Sequence, residues 1–221
     1  MKLTIVAATG GIGREMLEQA IAAGHDVTAL VRNPAKVGAG VRVVQADLSR
    51  PDPVALATAV AGADAVLSGL GARSAADEGV ATRGTRAIVS AMQATGTRRI
   101  IVVSAAPIGT VPSPGRPNPP KHDPGDGFFM RHLLAPFART AFRTHYADLA
   151  EMEDVLRESG LDWTAVRPPR LTNKPATGRY RTAVGQNIRG GVVISRADVA
   201  GFMLSLAGRP DTAGQVLGIA N

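Results

Sequence analysis

Over its first hundred residues the chain alternates between two kinds of segment, and the alternation leaves few folds open. KLTIVAA (2–8), DVTALV (26–31), VRVVQA (41–46), ADAVLSGL (63–70) and RRIIVVSAA (98–106) are short apolar runs of strand type. Between them lie three helical patterns: REMLEQAIAAG (14–24), closed by Gly24; PVALATAVAG (53–62), opened by proline; and GVATRGTRAIVSAMQATG (79–96). Strands that are apolar on both faces belong in a parallel sheet covered on both sides, and right-handed crossovers wind such a sheet doubly. LDWTAVRPP (161–169) predicts a sixth strand, RADVAGFMLSLAG a helix and GQVLGIA a last strand. ATGRYRTAVG and GGVVIS predict a small ribbon beyond the sixth strand. The expectation is an α/β chain whose 221 residues form a single domain, with a small C-terminal region beside the sheet.

The alternation breaks near residue 107. PIGTVPSPGRPNPPKHDPGDG (107–127) holds seven prolines and four glycines, which excludes an ordinary helix or a central strand. Residues 128–160 read as helical, interrupted near Pro136. Long irregular loops in small domains are often functional. The loop and following helix, 107–145, are therefore expected to roof a substrate pocket, with 107–127 mobile until a ligand orders it.

Within VAATGGIG the first strand meets the first helix at Gly10, Gly11 and Gly13. Glycine costs backbone entropy, so a cluster at this junction implies that something approaches the main chain closely. A helix N-terminus offers free N–H groups and partial positive charge to a pyrophosphate. Thr9, Gly10, Gly11, Ile12 and Gly13 are the candidate cradle, and a side chain at Gly13 would take space that the pyrophosphate needs. A plain tight turn is the alternative. The second strand adds an independent sign in LVRNPAK (30–36). NAD-selective sites place a carboxylate at this strand end, whereas here Arg32 stands there, with Lys36 behind it and no carboxylate before Asp47. A guanidinium grips a 2′-phosphate that a carboxylate would repel, so NADP(H) is expected over NAD(H). The alternative for Arg32 is a solvated arginine.

The net charge of +7 and pI near 10.7 raise nucleic acid as a partner. The basic residues are scattered and aromatics make up only 4%, so no nucleic-acid partner is expected. A basic cleft for an anionic small molecule is the narrower alternative. Mean hydropathy of +0.06 and the lack of a long apolar run give no expectation of a membrane. With no cysteine, disulfides and thiolate chemistry are excluded, and a cytoplasmic location is expected.

The spacing Ala7-x-x-Gly10-x-x-Gly13 resembles the G-x-x-G-x-x-G of atypical short-chain dehydrogenases, with alanine in place of the first glycine. Together with ADLS (46–49), GLG (69–71), VVSA (102–105) and VLRESGLDWTAVRPPRLTNKPATGRY (155–180), it is similar to the NmrA-like, NAD(P)H-binding branch. The flavin reductase/biliverdin-IXβ reductase group shares the VLRESGL and PP…TG.Y segments. The resemblance covers most of the chain outside about 107–145. It implies a Rossmann-like fold in which Asp47 and Leu48 border the adenine, Gly69 and Gly71 border the cofactor, and Ser104 and Pro168 lie near the nicotinamide.

Typical members of the wider family pair a tyrosine with a lysine four residues on, whose charge lowers the phenol's pKa. Tyr146 stands in the corresponding region, but Ala150 follows it, and no lysine occurs between Lys121 and Lys174. Two functions remain: hydride transfer to a small-molecule acceptor that needs little protein acid, such as a flavin, quinone or bilin, or NADP(H) binding without turnover, as in NmrA-like regulators. An epimerase or dehydratase is a third, disfavoured by the missing lysine. Ser104 is a candidate hydrogen-bond donor to the acceptor, or a strand-end hydroxyl. Arg170 stands where the bilin and flavin reductases carry histidine, and could hold an anionic acceptor. His122, His132 and His145 follow no metal-ligand spacing, so no metal is expected. Arg131, Arg139 and Arg143 read as a solvated face. Monomer and small homo-oligomer are both open.

Overall fold

The computed structural model describes residues 1–72, 77–127 and 142–221. β1 (Lys2–Val6) pairs in parallel with β2 (Asp26–Val31) on one side and β4 (Ala65–Ser68) on the other, which places the first strand inside the sheet. β3 (Arg42–Gln45) lies beyond β2. β5 (Arg99–Val103), β6 (Asp162–Arg167) and β10 (Gln215–Ala220) follow beyond β4, all parallel. β8 (Arg181–Val184) closes that edge antiparallel to β10, giving the order β3-β2-β1-β4-β5-β6-β10-β8. The strand order reverses direction at β1, so the sheet is the doubly wound, Rossmann-like one that the alternation predicts.

Side chains alternate along each strand, and this divides the interior into two cores. Val6, Val66, Ile100 and Val102 pack under α2 (Pro53–Val60), α3 (Val80–Thr95) and α4 (Arg143–Glu158), against Leu56, Met92 and Met152. Leu3, Ile5, Leu67 and Ile101 face the other way, onto Met16 of α1 (Gly11–Ala22) and Met203 of α5 (Arg196–Ser205). With helices on both faces, the strands have no polar side, which explains their continuous apolar runs.

The predicted ribbon does not form as one unit. Arg181–Val184 joins the main sheet, while β9 (Val193–Ser195) pairs in parallel with β7 (Arg170–Thr172). Without β8, β10 would present an open row of main-chain groups, and β8 covers it. The proline-rich stretch is irregular, as its composition requires, and it is anchored. Gly115 N donates to Asp154 Oδ2 at 2.8 Å. Asp123, 4% exposed, accepts from the amides of Gly125 and Asn187. The helical interruption near Pro136 lies outside the described residues. No described helix is long and apolar enough to cross a membrane.

Candidate functional site

The carboxyl ends of β1, β2 and β4 converge where the glycines lie. Ala7 has φ 56°, the left-handed region that favours glycine, so the family's first glycine position keeps a glycine-like backbone here. Its carbonyl accepts from Gly10 N at 2.7 Å, closing the turn into α1. A Cβ at Gly13 would collide with the Ala7 carbonyl oxygen, and one at Gly69 would lie 3.0 Å from Gly13 N. Thus Gly13 and Gly69 are small because the β1 turn, α1 and the end of β4 touch one another. The space expected for a pyrophosphate beside Gly13 is filled by the chain itself. Gly11 differs, since its Cβ would meet the Arg196 side chain, 2.7 Å from Nε. Ile12 turns its side chain into the core, leaving its main chain at the helix start.

The N-terminus of α1 has no side-chain cap and no acidic residue in its first turn. The starts of α2, α3 and α5 are each met by a side chain. Asp52 accepts from Val54 N, Asp148 of α4 accepts from Ala81 N and Thr82 N, and Ser195 accepts from Asp198 N. α4 also starts without a side-chain cap, at Phe142, but the start of α1 is the one beside the glycine turn, and its free N–H groups fit a dinucleotide's diphosphate.

Beside this terminus a pocket is lined by Ala7, Thr9, Arg32, Asp47, Leu48 and Gly71, joined by Ser49, Asp77 and Val80. The structure thus brings together residues that the sequence places in four separate motifs. Nothing lies within 4 Å of a Cβ built on Gly71. Arg32 Nη1 is 3.5 Å from Asp77 Oδ1. Asp47 Oδ1 accepts from Ser49 N at 2.9 Å and Ser49 Oγ at 2.8 Å. Those two bonds hold its carboxyl below the ordinary aspartate value, helped by the charges of Arg32 and Arg50. Lys36 is exposed on the 3-10 turn Pro34–Lys36, outside that lining. No local motif marks Asp77 as part of the pocket.

At the end of β5, Ser104 is buried and its Oγ donates to Glu153 Oε1 at 2.7 Å. Glu153, on α4 and fully buried, also receives Arg167 Nε at 2.8 Å and an Arg157 guanidinium nitrogen at 2.7 Å. Burial alone would raise the Glu153 carboxyl, but the hydrogen bonds and charge of Arg167, with Ser104 and Arg157, outweigh it and hold the carboxyl below its usual range. The sequence signal for Glu153 is a carboxylate on the buried stripe of Leu149, Met152 and Leu156. Pro168, also buried, accepts from Ala106 N at 2.9 Å. Arg170 is exposed at the start of β7. Tyr146 is half-buried, its ring centroid 5.9 Å from those of both Phe142 and His145, and burial pushes its phenol up. Ala150, one helical turn on, is buried. Arg131, His132 and Arg139 lie outside the described residues. No group of three His, Asp or Glu among the described residues could hold a metal.

The NAD(P)H-binding family matches residues 7–210. A Bacillus subtilis protein named as an uncharacterized sugar epimerase, YhfK, is 29% identical over 209 residues, covering 90% of this chain and 85% of its own. Two solved structures share the fold. The anaerobilin reductase ChuY of Escherichia coli O157:H7 has a TM-score of 0.77 and 24% identity, over 100% of this chain and 97% of that one. A short-chain dehydrogenase/reductase of Veillonella parvula in complex with NADP has a TM-score of 0.75 and 19% identity, over 100% and 94%. With the doubly wound sheet, the tight turn after β1 and the uncapped start of α1 in place, a match across nearly the whole length identifies the chain as a member of the NAD(P)H-binding family, in keeping with its resemblance to the atypical short-chain dehydrogenases.

Proposed function

We propose that this protein is an NADPH-dependent reductase that serves a small redox acceptor of the flavin, quinone or bilin kind. The observation that carries the reading is the setting of Tyr146. Burial raises its phenol, and the position where a partner lysine would lower it is Ala150. A chain without that acid–base pair suits an acceptor that takes hydride with little help from a protein acid. When bound, NADPH supplies the hydride, and water supplies the proton that completes reduction.

The N–H groups of α1 would hold the diphosphate, and Arg32 would meet the 2′-phosphate, which favours NADP(H) over NAD(H). Thr9, Asp47, Leu48 and Gly71 would surround the adenosine half. The acceptor would lie beyond Ser104 and Pro168, under the stretch 107–127; residues 128–141 of the expected roof lie outside the described residues. Three exposed basic residues, Arg170, Lys174 and Arg179, follow β6 on that side, whereas the charge of Arg167 is met by Glu153. An acceptor bearing acidic groups fits this field, with Arg170 as a candidate contact.

A second reading is NADP(H) binding without turnover. It draws on Ser104, whose hydroxyl is committed to Glu153 rather than turned to an acceptor. An epimerase, the class named for YhfK, or a dehydratase would need the tyrosine–lysine chemistry. An acceptor screen that follows NADPH oxidation separates the three. FMN and riboflavin, several quinones and biliverdin are offered in turn. Turnover with FMN favoured over riboflavin, an advantage shrinking with added salt, supports an anionic-acceptor reductase. Tight NADPH binding with no turnover of any acceptor supports the sensor. Conversion of a nucleotide sugar without net NADPH loss supports the epimerase.

A further inference from the structure

Arg196 occupies a place that the reading above leaves without a purpose. It is the first residue of α5, and its side chain crosses to the start of α1, so that a Cβ on Gly11 would sit 2.7 Å from Nε and 2.9 Å from Cδ. Nη1 donates to Asn173 Oδ1 at 2.6 Å. The guanidinium forms no ion pair among the described residues, and the stretches 73–76 and 128–141 contain no Asp or Glu that could supply one. A guanidinium with a neutral amide on one nitrogen keeps donors for an anion. Farther along α1, Gln19 Nε2 donates to Ala197 O at 3.0 Å and ties that helix to the first turn of α5, from which Arg196 projects.

We infer that Arg196 is a clamp for the cofactor's diphosphate, reaching the start of α1 from the α5 side while Arg32 stands at the end of β2. The inference rests on the cofactor reading given above. It explains why residue 11 is glycine, since any side chain there would push the guanidinium away from the helix start. A phosphate oxygen is a stronger partner than an amide oxygen, so loading would draw Arg196 off Asn173. Asn173 directly follows β7 and precedes the loop in which the amides of Thr177 and Gly178 donate to Asp198 at 2.8 Å each. Cofactor occupancy would thereby reach the acceptor-side loop through one side chain.

Titration calorimetry with NADPH, NADH, ADP-ribose and adenosine 2′-monophosphate tests the assignment, with thermal melts alongside. Arg196→Gln should weaken the three diphosphates by roughly tenfold, about equally, as loss of one charge-assisted contact implies. Adenosine 2′-monophosphate, which has no diphosphate, should bind as before. Asn173→Ala should leave the diphosphates as tight or tighter. If Arg196→Gln does not fold, Arg196→Lys keeps the charge without the fork and should still weaken the diphosphates severalfold. Unchanged diphosphate binding in either variant overturns the clamp. So does an equal loss for adenosine 2′-monophosphate together with a lowered Tm, which would make Arg196 a strut between helices. Wild-type protein that binds none of the dinucleotides would instead count against the cofactor reading itself.

Discussion

The Arg32 guanidinium lies 3.5 Å from the Asp77 carboxylate, and both line the pocket beside the glycine turn. Asp77 thus stands where a 2′-phosphate would compete for the same guanidinium. Arg32→Asp should weaken NADPH by roughly tenfold or more and NADH much less. Asp77→Asn should act in the opposite direction, raising affinity for NADPH over NADH by removing a competing negative charge. Fluorescence titration of both cofactors against both variants is the measurement. Equal changes for NADPH and NADH would remove Arg32 from the 2′-phosphate.

The glycines predict a split between folding and binding. A Cβ on Gly13 would strike the Ala7 carbonyl, so Gly13→Ala should lower Tm whether or not cofactor is present. Overpacking of this kind costs about 1–3 kcal/mol. Gly71→Ala meets nothing within 4 Å, yet its methyl would enter the lined pocket, so Tm should hold while cofactor affinity falls. Melting curves without ligand, followed by titration, check both; a Gly13→Ala protein of wild-type Tm would refute the packing argument.

Glu153 makes stability depend on acid. Its carboxyl titrates below the ordinary value of 4.5 in the folded chain, so its ion pairs stabilise fully above that value. The contribution is lost as pH falls through the lowered folded value. Glu153→Gln leaves Arg167 buried without its counter-charge and should cost about 3–5 kcal/mol at pH 7. The deficit against wild type should shrink as pH drops below the ordinary glutamate range. Denaturant melts across that range measure it, and a deficit independent of pH would mean that Glu153 acts through packing alone.

Tyr146 and Ser104 should behave differently from catalytic acids. Tyr146→Phe should keep turnover within about threefold, since the phenol is raised by burial and at most one neutral hydrogen bond is lost. Ser104→Ala removes a bond to a buried carboxylate, so it should reduce stability by about 1.5–3 kcal/mol and leave the acceptor's KM nearly unchanged. Steady-state kinetics on the acceptor found by the screen decide the matter. Abolished turnover in Tyr146→Phe with NADPH still bound would make Tyr146 a proton donor.

The sequence by itself determined the parallel doubly wound sheet, the glycine turn into α1, the arginine in place of a carboxylate after β2, and the alanine one turn beyond Tyr146. Each of these is carried by neighbours in the chain, because strand and helix periods and turn conformations are local properties of the backbone. Only the tertiary structure decided what each glycine faces: Ala7's main chain for Gly13, and a side chain from the far end of the chain for Gly11. It also joined Ser104 to Glu153 across 49 residues, brought Asp77 to Arg32, and sent Arg181–Val184 to the open edge of β10 instead of into a ribbon. These depend on how helices pack over a sheet and on which buried charge finds a partner. A buried carboxylate such as Glu153 must find its counter-charges somewhere in the fold, and the local pattern of α4 shows that it is buried without showing what meets it.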